Sequence, residues 1–379
     1  MKDTFTIFTE LVSIPSPSGS EANVAKYIKK YAKKLGLKTT IDNSGTKTKS
    51  NSGNLIIKLE GGATAILFVS HMDTVEKGGI AIKPIREDDR ITSDGKTILG
   101  ADNKAAIAAS LASMPEIKRM KNRPTVFFVF STREENGIMG VVHLKLGSRV
   151  DYTFVIDGNG EIGSFIEKAM GHFPFSLEIY GKEAHAATEP EKGRNAIKAA
   201  GLFLNNIKLG KDASGDTLNI GMINGGSNTN VIPGKVTLEG EVRSFSYKKM
   251  LKKVEEIERA AKRACSSTGC SFELIRKFNE GAMPFSAASD KNLINLAKSA
   301  TKSIGLKFNL RQLHATFEGS ILANRGYNVI GVGAGVKMPH STQESVSLKD
   351  LDNLKKLIIS IISTASKSKR DSLVMFWKA

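Results

Sequence analysis

Apolar and polar positions follow a helical period near the start of the chain. Val24, Ile28, Tyr31 and Leu35 recur at that spacing behind Ser18 and Glu21, which match an S-x-x-E capping box, so a helix is predicted to run to about Leu35. Four short runs then lack alternation and are almost wholly apolar, at 54–59, 65–69, 125–131 and 153–156. An alanine-rich helix is predicted between the second and third, over 103–114. Short apolar strands alternating with helices predict an α/β sheet covered on both faces.

The pattern changes near Ile166. "FPFSLEIYG" and "KVTLEGEVRSF" alternate apolar and polar residues, as half-exposed antiparallel strands do. Helices are predicted at 193–207 and 247–264 in the same stretch, which together describe a small α+β domain. After about Phe278 the first pattern returns, with "YNVIGVGAG" as a strand and a helix over 348–363. The tail KSKRDSLVMFWKA breaks the helical pattern. The expected architecture is an α/β domain with a central mixed sheet, formed by residues 1–166 and 277–379, interrupted by an inserted α+β two-layer domain over 167–276. "GVGAG" lacks the G-x-G-x-x-G spacing and opens no helix, so it is not a dinucleotide signature.

Composition changes this picture little. The 379 residues exceed most single cores, and 40% hydrophobic with 25% charged residues is ordinary for a soluble globular protein. No apolar run approaches the roughly 18 residues a spanning helix needs, and the amphipathic start MKDTFTIFTELVS is no signal peptide, so a cytoplasmic protein with no membrane association is expected. Two cysteines, Cys265 and Cys270, read as free thiols. The net charge of +17 is spread over helix faces without interleaved aromatic residues, so it reads as a solvated lysine-rich surface and no nucleic-acid partner is expected.

The candidate chemistry lies where the apolar strands end. The run 65–69 ends in His71 and Asp73, two residues apart and so on one side of a strand. "ILGADNKAA" places Asp102 in a glycine turn at a helix start. The run 125–131 leads to Glu134 and Glu135, the run 153–156 to Asp157, and the last strand to His340. Ligands of open α/β sheets bind outside the carboxyl ends of the strands. Two histidines and three carboxylates exceed the three protein ligands usual for one catalytic zinc, but they suit two ions that share a carboxylate. Of the Glu134–Glu135 pair, one acid can bind metal while the other stays free as a general base. Taken singly, each of these groups is more often a satisfied or solvated side chain; the agreement of five strand ends is what carries weight.

In these motifs the sequence resembles the co-catalytic di-zinc exopeptidases that include tripeptidase T, the glutamate carboxypeptidases and the succinyl-diaminopimelate desuccinylases, and it looks closest to the peptidase T-like branch. The resemblance rests on "IPSPSGSE", "SHMDTV", "SDGKTILGADNKAAIAA", "STREENGIMG", "IDGNG", "GKEAHAATEPEKGRNAI", "GGSNTNVIPGKVTLEGEVRSF" and "PHSTQESV", in family order over nearly the whole chain. It implies metal-dependent hydrolysis of peptide bonds in short peptides by a water bridging two zinc ions; cobalt and manganese also accept such ligands. It implies Asp102 as the bridging ligand, His71 and Asp157 on one ion, Glu135 and His340 on the other, Asp73 as the residue that orients His71, and Glu134 as the general base. His185 would stabilise the oxyanion, in many relatives from the partner subunit, so a homodimer through the inserted domain is expected. Asn230 and Arg243 match substrate-binding positions, with Arg243 gripping a carboxylate. His143, His172 and His314 fit no motif and are expected to be structural.

The sequence also departs from the family. "FEGSILANRG" at 317–326 aligns best if the usual Asp-Ala-Asn of a substrate-side loop is missing, and Asn103 and Ala106 replace the usual aspartate and glycine. Three functions are therefore weighed: a tripeptidase-type aminopeptidase, an N-acyl-amino-acid amidohydrolase or carboxypeptidase, and a catalytically impaired peptide-binding relative.

Overall fold

In the computed structural model, which describes residues 2–76, 78, 80–158, 160–276, 283–287 and 290–376, the chain forms two compact units. The first comprises the chain up to Glu167, then Ser286–Gln312 and the chain from Phe317 onward; the second comprises Lys168–Phe285 and Leu313–Thr316. The expected return to the first unit at about 277 falls outside the described residues. Residues 283–285 and the segment Leu313–Thr316 were expected in the first unit and instead belong to the second, while Glu167, expected in the second, belongs to the first. The Met170 N–H donates to the Leu313 carbonyl, and the His314 ring meets Phe245 edge-on with centroids 5.3 Å apart.

The first unit is built on a mixed sheet. Its strands among the described residues are β1 (Thr39–Ile41), β2 (Leu55–Leu59), β3 (Gly62–His71), β6 (Pro124–Ser131), β7 (Tyr152–Ile156), β8 (Ser164–Ala169), β14 (Phe285–Ser286), β15 (Asn309–Leu313) and β16 (Val329–Val332). The order is β1-β2-β6-β3-β7-β16-β8-β14, with β15 also on β8. The central strands β6, β3, β7 and β16 run parallel, while β1, β2 and β8 pair antiparallel. Every residue of β3 from Ala65 to His71 is buried, which explains its unbroken apolar run. Phe68 stacks between Phe128 and Phe154 of the neighbouring strands at 5.4 and 5.5 Å. A small antiparallel sheet of β4 (Ile85–Glu87), β5 (Arg90–Thr92) and β17 (Ser345–Ser347) lies apart from the main one.

Helices α1 (Thr4–Val12), α4 (Ala101–Arg119), α7 (Lys291–Ser303) and α9 (Leu348–Phe376) pack with one another, and α4 also meets β3. The alanines of α4 let it sit buried on almost all sides. Asp102 and Asn103 near its start have non-helical backbones, so the regular helix begins just after them, as expected, and it runs on past 114 through Pro115 to Arg119. The backbone of α9 continues to Phe376, so the expected break at the tail does not occur. Helix α2 (Ala22–Lys34) forms without the predicted capping box: Glu21 makes no side-chain cap, because it is drawn to the Gly19 and Arg133 N–H groups at 2.8 and 3.0 Å. Two short helices, α3 (Ser44–Thr48) and α8 (Glu318–Asn324), complete this unit.

The second unit is an antiparallel sheet with two helices, α5 (Ala196–Asn205) and α6 (Tyr247–Thr268). Its strands are β9 (Gly171–Tyr180), β10 (Gly210–Lys211), β11 (Thr217–Gly225), β12 (Lys235–Ser244) and β13 (Ser271–Arg276), in the order β10-β11-β12-β9-β13. One face alternates Phe173, Phe175, Leu177 and Ile179 into a core with Phe203, Ile257 and Ala261 of the helices. No helix among the described residues is long and apolar enough to cross a membrane.

Candidate metal centre

Parallel pairing brings the strand ends together. His71 ends β3 beside Ser131, which ends β6, and Asp157 follows directly on β7. His71 Nε2 lies 3.3 Å from Asp102 Oδ1 and 3.7 Å from Asp157 Oδ1. His340 Nε2 lies 3.4 Å from the other Asp102 oxygen, Oδ2, and 3.0 Å from Glu135 Oε1. Two groups of donors, His71–Asp102–Asp157 and Asp102–Glu135–His340, thus share Asp102, and within each group the ligand atoms lie within 4.8 Å of one another. His71 also groups with Glu134 and Glu135, but His340 meets Glu135 alone of the two.

The surroundings orient each ligand. His71 Nδ1 stands 3.0 Å from the Asp73 main-chain carbonyl, which can only accept, so Nδ1 carries a proton and Nε2 is the ring nitrogen that faces the carboxylates. Asp73 therefore orients His71 mainly through its backbone, since its carboxylate is 3.6 Å away. That carboxylate accepts the Glu134 and Glu135 N–H groups at 3.1 Å each and the Ser18 hydroxyl, which fixes the turn carrying both glutamates. Arg133 before them and His340 hold left-handed backbones, φ 53° and 63°, of a kind concentrated at functional sites. Asn103 donates to the Ile156 carbonyl at 2.7 Å, next to Asp157; an ionised aspartate there could not.

Sequence reading missed Ser18 and Glu21 as members of the site, because they look like a local cap. It also missed Glu344, whose carboxylate receives the Leu99, Gly100 and Asp102 N–H groups at 2.8, 2.8 and 2.9 Å. Its signal in the sequence was its place in "PHSTQESV", four residues past His340.

Electrostatics favour cations. Burial opposes a proton on His71, but Asp102, Asp157 and Asp73 together push it well above its usual range. Asp102 and Glu135 raise His340 to about 10. Burial raises Glu134 well above the usual carboxylate range, with Asp157 adding to it, and burial likewise raises Glu135 and Asp157. Asp102 Oδ1 is buried and has no hydrogen-bond partner among the described residues. Several acids crowded with two imidazoles fit divalent cations, which would replace the protons. Oxygen and imidazole donors suit zinc, cobalt or manganese.

The remaining candidates lie in the second unit. His185 is exposed, and its Nδ1 accepts the Ala187 and Thr188 N–H groups at 3.2 Å each, so its neutral form presents Nε2–H as a free donor. The Asn230 carbonyl accepts the Ala186 N–H at 2.9 Å, beside His185. Arg243 forks onto Glu241 at 2.7 and 3.1 Å, so two of its nitrogens are already engaged. His172 pairs with the same Glu241 at 2.9 Å.

Two family models match the chain: a peptidase dimerisation domain over residues 169–268, within the second unit, and peptidase family M28 over residues 54–202. The uncharacterised protein YqjE of Bacillus subtilis (strain 168) is 31% identical over 95% of this chain and 97% of its own length. The crystal structure of aminopeptidase PepT from Bacillus cereus ATCC 10987 is 30% identical with a TM-score of 0.86, over 95% of this chain and 97% of that one. A tripeptidase structure from Staphylococcus aureus subsp. aureus Mu50 is 29% identical with a TM-score of 0.88, over 96% and 98%.

Proposed function

The chain belongs to the peptidase T-like metallopeptidases of the M20 family, and from that membership we propose an exopeptidase that removes the N-terminal residue of short peptides, tripeptides above all. Metal-dependent peptide hydrolysis is the family's reaction. The observation that carries the two-ion reading is Asp102, whose two oxygens face His71 and His340 separately. His71 and Asp157 would hold one ion, Glu135 and His340 the other, with zinc as the first choice. When bound, the ions would lower the pKa of a bound water toward neutrality and polarise the scissile carbonyl.

The chain's own groups do the rest. Glu134, unligated and fixed by the Asp73–N–H bond, takes the water's proton and returns it to the leaving amine. His185 donates its Nε2–H to the tetrahedral oxyanion. Asn230, beside His185, and Arg243 contact the substrate, Arg243 at the cost of its pairing with Glu241.

The dimerisation-domain match and the second unit's open sheet edge support a homodimer through that unit. β10 covers only Thr217 and Leu218 of β11, and Met222 and Ile223 beyond it are 56% and 53% exposed, as is Ile197 of α5 at 50%. Unpaired apolar sheet edges favour pairing with another chain. The two free thiols support a reducing, cytoplasmic setting.

The test is amino-acid release from di-, tri- and tetrapeptides and their N-acylated forms by the zinc-loaded protein. Free-amine tripeptides should be cleaved, and Glu134→Gln should lose roughly 10²–10⁴-fold in kcat while binding two metals. Preference for the acylated set would move the assignment to a deacylase or carboxypeptidase. Metal loss in Glu134→Gln would make it a ligand.

A further inference from the structure

The segment that departs from the family pattern carries a fully buried acid. Glu318 opens α8, has no exposed surface, and neither carboxylate oxygen has a hydrogen-bond partner among the described residues. The Ser131 hydroxyl faces it but directs its hydrogen to the Ser70 carbonyl at 3.4 Å. The charges that act on Glu318 are those of the centre, namely His71 on β3 and the acids Asp157 and Asp73, and it acts in turn on Glu134. α8 packs on β7, β16 and the turn Val141–His143. The two titratable groups there answer to other partners: Tyr152 to Asp290 and Asp151, His143 to Lys47, Asp42 and Arg325. β16 carries none. No arginine or lysine is paired with Glu318 among the described residues.

A bare carboxylate in such a place is costly without an opposing charge. We propose that Glu318 is a positioning residue of the metal centre that keeps a proton in the protein stripped of metal and gives it up when cations enter, so that its carboxylate balances their charge through space. This rests on the two-ion reading. The Glu318 O–H bond breaks, the proton passes to solvent, and the carboxylate stays in place as a buried counter-charge. Burial pushes its carboxyl up to about 8, with Asp157 and Asp73 adding to it against His71, which fits a group neutral at pH 7. Cations nearby reverse that preference. Nothing in this role requires Glu318 to touch substrate.

The test is calorimetric titration of zinc into chelator-stripped wild type and Glu318→Gln, at pH 7, in buffers of different ionisation enthalpy. Metal entry releases protons from several groups. The wild type should release about one more proton per chain than Glu318→Gln, whose amide is neutral throughout, and bind zinc more tightly by about 10–100-fold. The difference should vanish well above pH 8, where wild-type Glu318 has already lost its proton. Glu318→Asp should keep the extra proton, and Glu318→Met should lose it if Glu318→Gln does not fold. Equal proton release by wild type and Glu318→Gln with zinc bound to both would overturn the proposal. If the wild type itself takes up no zinc, the two-ion reading fails instead.

Discussion

The Glu344 carboxylate ties the loop bearing Asp102 to the segment bearing His340, because it accepts three N–H groups from residues 99, 100 and 102. Burial raises this carboxyl to about 7 although those donors oppose it, so its place is set by the bonds rather than by solvent. Glu344→Gln turns one acceptor oxygen into an N–H₂ group facing N–H donors. The variant should fold, with unchanged far-ultraviolet circular dichroism, and bind zinc about 10–100-fold more weakly in competition with a chromophoric chelator. Unchanged zinc affinity would refute the role. That the five candidate ligands gather in one place was legible because each follows an apolar strand or opens a helix, where a polar residue has few other reasons to stand. Glu344 was not, since its partners lie 242 to 245 residues away in the chain. Ser18 and Glu21 misled for a related reason. Their spacing satisfies a local rule, but tertiary donors at Gly19 and Arg133 and the Asp73 carboxylate take both side chains.

Among the elements, the buried strands were the most legible, for β3, β6 and β7 have no solvent face and so no alternation. The short strands β4, β5 and β17 were not, because three residues carry no period. Helix α4 shows what burial on nearly all sides demands. Lys104 has no exposed surface, and its Nζ donates to the Ile14 carbonyl at 2.7 Å, tying α4 to the segment after α1. Burial lowers its ammonium to about 7, against the pull of Glu344 and Asp73. Unfolding restores an ordinary value near 10.5, so between about pH 7 and 10.5 the unfolded chain holds a proton that the folded chain lacks. Stability from this residue therefore rises with pH across that window, and below it the burial penalty is felt in full. Lys104→Met removes the group. Denaturant midpoints measured from pH 7 to 9.5 should rise less with pH in Lys104→Met than in wild type. Parallel curves would mean that Lys104 titrates normally.

At the scale of the whole molecule, the residues proposed for the reaction fall in both units: the proposed ligands and Glu134 in the first, His185, Asn230 and Arg243 in the second. The sequence announced this division by its change from unbroken to alternating apolar runs. It could not announce that Leu313–Thr316 returns to the second unit, since that depends on single contacts at Met170 and Phe245. The division also makes subunit exchange informative. If His185 serves the partner's site, a heterodimer of His185→Ala with Glu134→Gln has one site with both defects and one with none. If it serves its own site, each site has one defect. Each variant alone should be nearly inactive. Mixed in equal amounts, unfolded and refolded together, they should recover about a quarter of wild-type turnover per subunit, because half the dimers are mixed and half of their sites are whole. Adding a Met222→Lys and Ile223→Lys change to both chains should abolish that recovery by opening the dimer, seen as monomers in sedimentation, while the zinc content of each chain stays the same. Recovery that persists in monomers, or none from intact mixed dimers, would return His185 to its own subunit or remove it from the reaction.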